Sequence, residues 1–356
     1  MEVLEYLRTN PVDDLAKKFG IKFKVYENGL CVLNYDQLNS PKFHPIVREC
    51  RGLIIDLFGL QPVSRTFDRF FNYNEDPNDP FDSELIKRAE EKVDGSLMSV
   101  YWHNAQWNIA SRGNAYAEGK TPFGLSFHDI FMEIIDMPLD NFMENMFRDH
   151  SFTFELCSVY NKVVKLYEEP VLYLLNAVEL RSGKEMDSWS LDCCAETLGV
   201  KRPKVYDITI DTVFKSFKNF PATEEGYVLM DENGNRVKIK NPAYVDLHHL
   251  KGNGEITPKR ITGVVFRGET DEVLSYFPEY REFFEPYQQA YDLMVYEIGQ
   301  IWSVVKDIDD QKEFALQIQY VPYKSILFSM RKGLTFEEAV DKLSISGKVN
   351  ILENLI

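Results

Sequence analysis

Lys92-Val93-Asp94-Gly95-Ser96, running on into Leu97-Met98-Ser99-Val100-Tyr101-Trp102, is the stretch on which the reading of this chain turns. Leu97 to Trp102 has strand character, and Trp107 to Ser111 repeats it after a short polar gap, so the two read as a hairpin. The Asp-Gly step in front is a tight-turn signal, with glycine expected to relieve positive-φ strain. Lys92 then has two readings. It is a lysine leading into a turn, or an amine held where a nucleotide phosphate can be attacked. A match this short does not decide between them.

Working outward, the first two-thirds of the chain reads as mixed α and β. Pro11 to Phe19 is a short helix stopped by Gly20. Ile21 to Tyr26 and Leu30 to Tyr35 are strands around Asn28-Gly29, a hairpin signal. Gly52 to Phe58 is a short apolar strand. Ser126 to Phe147 is helical with a break at Pro138. Phe152 to Val159 and Val171 to Glu179 are strands, and Ser190 to Leu198 is helical. Glu225 to Met230 and Arg236 to Lys240 flank Asn233-Gly234, again a hairpin. Composition shifts at Lys251-Gly252-Asn253-Gly254, which marks a linker between residues 1–250 and 255–356. Beyond it Tyr287, Tyr291, Met294, Ile298, Ile301 and Val305 keep a helical period, and Phe314 to Met330 continues it. Thr335 with Glu338 makes a capping box. The last hundred or so residues read as a small all-α domain.

At 356 residues, two domains are the natural expectation. No apolar run approaches the roughly 20 residues of a membrane span, and Met1-Glu2-Val3-Leu4-Glu5 lacks the pattern of a secretory signal. Cys31, Cys50, Cys157, Cys193 and Cys194 fit neither a disulfide framework nor a zinc site, which points to reduced thiols and a cytoplasmic protein. The net charge of −16 opposes binding of bulk nucleic acid. It excludes a scaffold that coats DNA or RNA, but not an enzyme that grips one RNA end in a local basic cleft. No obligate protein partner is evident.

Four further segments accompany Lys92 in order. Arg48-Glu49-Cys50-Arg51-Gly52 precedes it, with Arg69-Phe70-Phe71-Asn72 between the two. Ser111-Arg112-Gly113 follows the hairpin. Phe152-Thr153-Phe154-Glu155 lies on a strand, with Asn161-Lys162-Val163-Val164 just after. Glu225-Gly226-Tyr227-Val228 and Arg236-Val237-Lys238-Ile239-Lys240 close the set, running on to Tyr244-Val245 and Leu247-His248. The set resembles the covalent nucleotidyltransferase superfamily of ATP-dependent ligases and capping enzymes. More closely it resembles the phage RNA ligase 1 family, the tRNA-repair ligases of T-even-type phages. The resemblance implies an α+β adenylyltransferase domain with antiparallel sheets over residues 1–250. It weakens after about residue 255, where only helical character and approximate length agree.

By that resemblance Lys92 would become lysyl-adenylate, and ATP and Mg²⁺, with Mn²⁺ as a substitute, would be the cofactors. Arg51 and Arg69 would contact the ATP phosphates or ribose, and Arg112 the nucleotide or the RNA 5′-phosphate. Glu155 would hold the ribose or a metal-bound water. Glu225 would bind the magnesium hydration shell, Lys238 and Lys240 would grip the α-phosphate, and Tyr244 would pack near the nucleotide. Asp271 falls where the family places an acidic metal contact, against the competing reading of an exposed helix N-cap. His248-His249 is read as structural, since adjacent histidines point apart and no other ligand is spaced to help.

The chemistry accounts for these residue types. With a reference pKa near 10.4, only about one lysine in 2,500 is neutral at pH 7. Lys238, Lys240 and a bound magnesium ion are therefore expected to lower the pKa of Lys92 and to offset charge on the reacting phosphate. Two departures stand out. Arginine occupies positions 69 and 112 where relatives have lysine, which keeps charge but not geometry. Leu156 to Tyr160 is also more apolar than in relatives.

The expected function is ATP-dependent joining of RNA 5′-phosphate and 3′-hydroxyl ends, in a tRNA-repair setting where the helical domain favours a broken anticodon loop. DNA ligases and capping enzymes are the nearest alternatives, but both normally append an antiparallel OB-fold barrel. From another class, the alternative is a non-catalytic module that binds tRNA ends or nucleotides. The intact lysine and carboxylate set argues against it.

Overall fold

A computed structural model describes residues 1–36, 40–75, 79–161, 164–245, 256–268, 270, 273–274 and 278–356. The chain divides into two compact units, Met1–Asn241 and Pro242–Ile356. The linker signal at 251–254, the histidines at 248 and 249, Asp271, and Lys162 with Val163 lie outside the described residues.

The first unit is built on thirteen strands among the described residues. In chain order they are β1 (Ile21–Val25), β2 (Leu30–Tyr35), β3 (Arg51–Asp56), β4 (Gln61–Ser64), β5 (Phe71–Asn72), β6 (Ile86–Glu91) and β7 (Ser96–His103). These are followed by β8 (Gln106–Ser111), β9 (His150–Cys157), β10 (Val171–Glu179), β11 (Val205–Tyr206), β12 (Gly226–Asp231) and β13 (Arg236–Lys240). They form three sheets, ordered β1-β2-β3-β4, β10-β9-β7-β8 and β11-β6-β12-β13-β5. Every pair is antiparallel except β13 with β5.

The hairpin signals act as expected. Gly29 (φ 87°) and Gly234 (φ 83°) take the left-handed backbone that the β1–β2 and β12–β13 turns require. Asn104 and Ala105, both at positive φ, turn β7 into β8 without a glycine. The break at Pro138 separates helices Phe127–Ile135 and Leu139–Phe142. These helices, with Ser188–Leu198, cover one face of the β7-containing sheet, where Phe131, Phe152, Phe154 and Leu156 are fully buried. Burying each such side chain contributes about 1.5–3 kcal/mol. The opposite face meets the first sheet through Val32, Ile54, Tyr101 and Ala110. A third core, around Leu229, Val237 and Val213, backs the β12–β13 ladder.

The second unit is helical throughout its assigned elements: Pro258–Val265, Arg281–Val305, Gln311–Gln317, Lys324–Arg331, Phe336–Asp341 and Ile345–Glu353. Met294, Ile298 and Val305 face its core, together with Phe314 and Leu327. The helical stretch expected from Phe314 to Met330 is two helices, with Pro322 between them. Thr335 and Glu338 close a reciprocal capping box. No helix among the described residues is long and apolar enough to cross a membrane.

Candidate active site

Strand register brings the charged motifs together. Lys92 directly follows β6, and its N–H donates to the carbonyl of Gly226 at 2.9 Å, extending the β6–β12 ladder by one rung. Glu225 directly precedes β12 and is tied on its other side by the N–H of Asn241 at 2.8 Å. Glu225 is therefore bracketed by the end of β6 and the end of β13. Lys92 Nζ donates to Glu225 Oε2 at 2.6 Å, and Lys240 Nζ lies 2.8 Å from Oε1. The carboxylate is only 6% exposed.

The glycines and the aspartate of these motifs have mechanical roles. A Cβ on Gly95 would come within 2.5 Å of the Leu156 carbonyl and 2.8 Å of Cys157 Sγ. The residue is thus needed for close approach to β9. Positive-φ relief, the expectation from sequence, is not its role, because Gly95 is absent from the positive-φ glycines. Asp94 is buried, and its Oδ2 accepts the N–H groups of Val164 and Lys165 at 3.0 and 2.8 Å. The turn after Lys92 is pinned to the segment following β9. At Gly226 (φ 135°), a Cβ would collide with the Ile239 carbonyl, so this position admits only glycine.

Lys92, Glu155, Lys238, Lys240 and Arg51 line one cavity of about 170 Å³, floored by Leu97, Leu175 and Val228. Lys238 and Lys240 reach it from the same face of β13. Thr66 Oγ1 donates to the Arg51 carbonyl at 2.8 Å, and the Arg51 guanidinium leans on Phe70 at 5.0 Å. Arg51 as a whole is half-buried, yet its Nη1 is sealed from solvent with no hydrogen-bond partner among the described residues. Arg69 is 3% exposed and leaves its own Nη1 in the same state. Its guanidinium sits 3.9 Å from the Tyr35 ring, and Arg112 lies 4.6 Å from that ring. Arg112 itself is exposed. Tyr244 is buried and belongs to the second unit.

Electrostatics corrects one expectation. The pKa of Lys92 is raised, not lowered. Burial is the largest single influence and pushes it down, but Glu225, Glu155 and Asp94 together outweigh it. Lys238 is the lysine brought down, to about 8, by burial and then by Lys92, Lys240 and Arg51. Burial pushes Glu155 up to about 8 against the pull of Lys92. Glu225 stays below the usual carboxylate range because Lys92 and Lys240 overcome the effect of its burial. Arg51 and Arg69 are both lowered, chiefly by burial.

A family model described as RNA ligase matches residues 49–244, more than half of the chain and the span from Arg51 to Tyr244 that holds Lys92. The chain belongs to the RNA ligase family. It is 30% identical over its full length to a protein of Autographa californica nuclear polyhedrosis virus described as a putative bifunctional polynucleotide kinase/RNA ligase, and spans 53% of that protein's length. An RNA ligase of Rhodothermus phage RM378 is 23% identical over 80% of this chain and 81% of its own. Solved structures of Naegleria gruberi RNA ligase match in part. One with pyrophosphate has a TM-score of 0.36 at 16% identity, covering 46% of this chain and 51% of its own. An apo form has a TM-score of 0.41 at 16% identity, covering 52% and 58%.

Within this RNA ligase fold, sequence reading missed two groups. Tyr35, flanked by Arg69 and Arg112, ends a strand 34 residues before Arg69, and no local pattern marks it. Lys165 reaches Glu224 at 2.8 Å and Glu91 at 3.4 Å, tying together the residues next to Glu225 and Lys92. A cation between two acidic segments far apart in sequence carries no motif.

Proposed function

We propose that the chain is an ATP-dependent ligase that joins an RNA 5′-phosphate to an RNA 3′-hydroxyl. The observation that carries this reading is the Lys92 amine, paired to Glu225 and opening on a cavity whose cations Arg51 and Lys238 have no carboxylate partner among the described residues. Lys92 attacks the α-phosphorus of ATP. A nitrogen–phosphorus bond forms, the bond to pyrophosphate breaks, and the amine loses its proton. The nucleotide then passes to the RNA 5′-phosphate, freeing Lys92. In the third step a 3′-hydroxyl attacks that phosphate and AMP leaves.

The residues fit these roles. Arg51, Lys238 and Lys240 offer cations to a phosphate, with Arg69 beside them as a buried guanidinium lacking a full set of acceptors. Among the described residues no group of three His, Cys, Asp or Glu could hold a metal alone. Glu225 and Glu155 provide the one or two carboxylates that magnesium takes alongside waters and substrate phosphates. These two would hold Mg²⁺ or Mn²⁺, which supplies positive charge to the reacting phosphate. Asp271 remains a candidate third contact on the strength of the family resemblance.

Tyr244 is assigned to the nucleotide on the same ground. The second unit, helical through its assigned elements, is proposed to favour tRNA with a broken anticodon loop, in the cytoplasm of a host cell. All five cysteines are unbridged, which suits that setting.

Incubation with α-labelled ATP and magnesium, followed by denaturing electrophoresis, tests the reading. Folded protein should carry a covalent label that Lys92→Ala abolishes. An unlabelled wild type sinks the proposal. Sealing RNA ends in preference to DNA ends separates the ligase classes, and equal sealing of broken tRNA and generic RNA by the whole chain would remove the tRNA assignment.

A further inference from the structure

Three arginines in a cavity adjoining the Lys92 pocket have no part in this chemistry. Arg48 lies near the end of helix Pro45–Glu49, Arg65 directly follows β4, and Arg236 opens β13. All three line one small cavity of about 230 Å³. This cavity shares Phe70 and Arg236 with the Lys92 pocket, so the two abut along those side chains.

The lining carries more positive than negative charge. Arg65 Nη2 is 3.0 Å from Asp68 Oδ1, and Arg236 holds Glu185 with both terminal nitrogens. Arg48 has no carboxylate partner among the described residues. Its Nε donates to the Arg69 carbonyl at 3.3 Å, and its terminal nitrogens make no protein hydrogen bond there. Three guanidiniums thus face two carboxylates. A cluster that only fastened sheets together would be balanced. A local excess of positive charge is the more telling in a chain of net charge −16. Gly183 keeps the space open, since at its φ of 72° a Cβ would collide with Arg65 Nη1.

We propose that this cavity takes a backbone phosphate of the RNA adjoining the end to be joined. The proposal rests on the RNA ligase reading given above. Guanidinium forks match the paired oxygens of a phosphodiester, and a phosphate held there fixes the register of the strand without reading its sequence. No covalent step is involved.

The test separates two reactions of the full-length protein. One is transfer of labelled AMP from ATP to the protein, with no RNA present. The other is joining of a pre-adenylated RNA 5′ end to an RNA 3′-hydroxyl, with no ATP present. Arg48→Ala should leave the first within about twofold, raise the RNA KM of the second about tenfold, and reduce its salt dependence by about one phosphate contact. Arg48→Lys should recover part of the loss, and Gly183→Ala, by displacing Arg65, should reproduce it.

Methylphosphonate, which removes one phosphate charge, is then placed position by position along each RNA strand. At the phosphate seated in the cavity, wild type should lose about tenfold and Arg48→Ala nothing further. The strand carrying that position tells whether the 5′-phosphate or the 3′-hydroxyl partner occupies the site. Additive losses at every position overturn the proposal. A loss confined to the ATP reaction overturns it in favour of the phosphates of the nucleotide. A wild type that takes no label fails earlier, before RNA is added, and removes the ligase reading together with this site.

Discussion

The two sides of the Lys92 pocket follow opposite electrostatic plans. On one side, Lys92 and Lys240 share the carboxylate of Glu225 at 2.6 and 2.8 Å. On the other, Arg51 and Lys238 have no carboxylate partner within ion-pair distance among the described residues, and Arg69, outside the pocket lining, has none either. Arg51 and Arg69 rest instead on aromatic faces. On the paired side each ammonium already meets a carboxylate oxygen before any ligand binds. The three unpaired cations are desolvated, and their downward pKa shifts have burial as the leading cause, offset only in part by Tyr35, Glu155 and Glu75. Buried cations without counter-charge destabilise a fold. Their presence opposite the Lys92 amine is what the proposed phosphate ligand would complete.

The sharpest way to break this comparison is to keep the pairing and remove the chemistry. Lys92→Arg leaves a cation facing Glu225, yet a guanidinium does not deprotonate in a protein. Covalent labelling by ATP should vanish while the melting temperature stays within about 2 °C of wild type, the scale of a change of about 0.5–1 kcal/mol. Labelled Lys92→Arg protein would move the nucleophile elsewhere. Next in size is Glu225→Gln, which strips the shared counter-charge from both lysines. Labelling should fall at least about 100-fold and stability should fall with it, because breaking a buried pair from one side costs about 3–5 kcal/mol. Calorimetry beside the labelling assay reads both losses.

The unpaired side should behave differently. Lys238→Met removes a desolvated ammonium that no carboxylate among the described residues pairs with and keeps much of its volume. Labelling should fall about 100-fold, as when one electrostatic contact to a reacting group is lost. The melting temperature should rise, by roughly 2–4 °C for each kcal/mol gained. Loss of activity with gain of stability is the mark of a site held ready for an anion. If Lys238→Met loses both, as Glu225→Gln does, the distinction between the two sides falls.

Much of this site was legible in the chain. The hairpins at Asn28-Gly29 and Asn233-Gly234 set their own registers, and the second register places Lys238 and Lys240 on one face. What stayed hidden is instructive. β6, the strand that delivers Lys92, reads Ile-Lys-Arg-Ala-Glu-Glu and has little strand character. Glu90 meets Arg88 and Arg202, Glu91 meets Lys165, and the strand's place between β11 and β12 is set by tertiary packing. The raised pKa of Lys92 was equally out of reach. Sequence lists the lysines and carboxylates in the motifs around Lys92, but the sign of the shift depends on which is 2.6 Å away. The helical unit was easier in kind and poorer in content. Its periodicity gives helices and a core, while only Thr262 and Thr270 are buried polar residues among its described positions. The first unit buries Arg69, Asp94 and Glu225.

The smallest effect separates the two sides by pH in nucleotide-free protein. Glu155 has its folded pKa raised from 4.5 to about 8. Between those values the folded state binds more protons than the unfolded state, so its contribution to stability declines as pH rises through the window. Lys238 has its folded pKa lowered from 10.5 to about 8. Between 8 and 10.5 the unfolded state binds more protons, so this contribution improves as pH rises. Melting temperature followed from pH 5 to 10 should therefore carry a falling component up to about 8 and a rising one above it. Glu155→Gln should flatten the first and leave the second, and Lys238→Met should do the reverse. A single variant that flattens both limbs would show that Glu155 and Lys238 titrate as one coupled unit, and that the compensated and uncompensated halves of the pocket are not electrostatically separate.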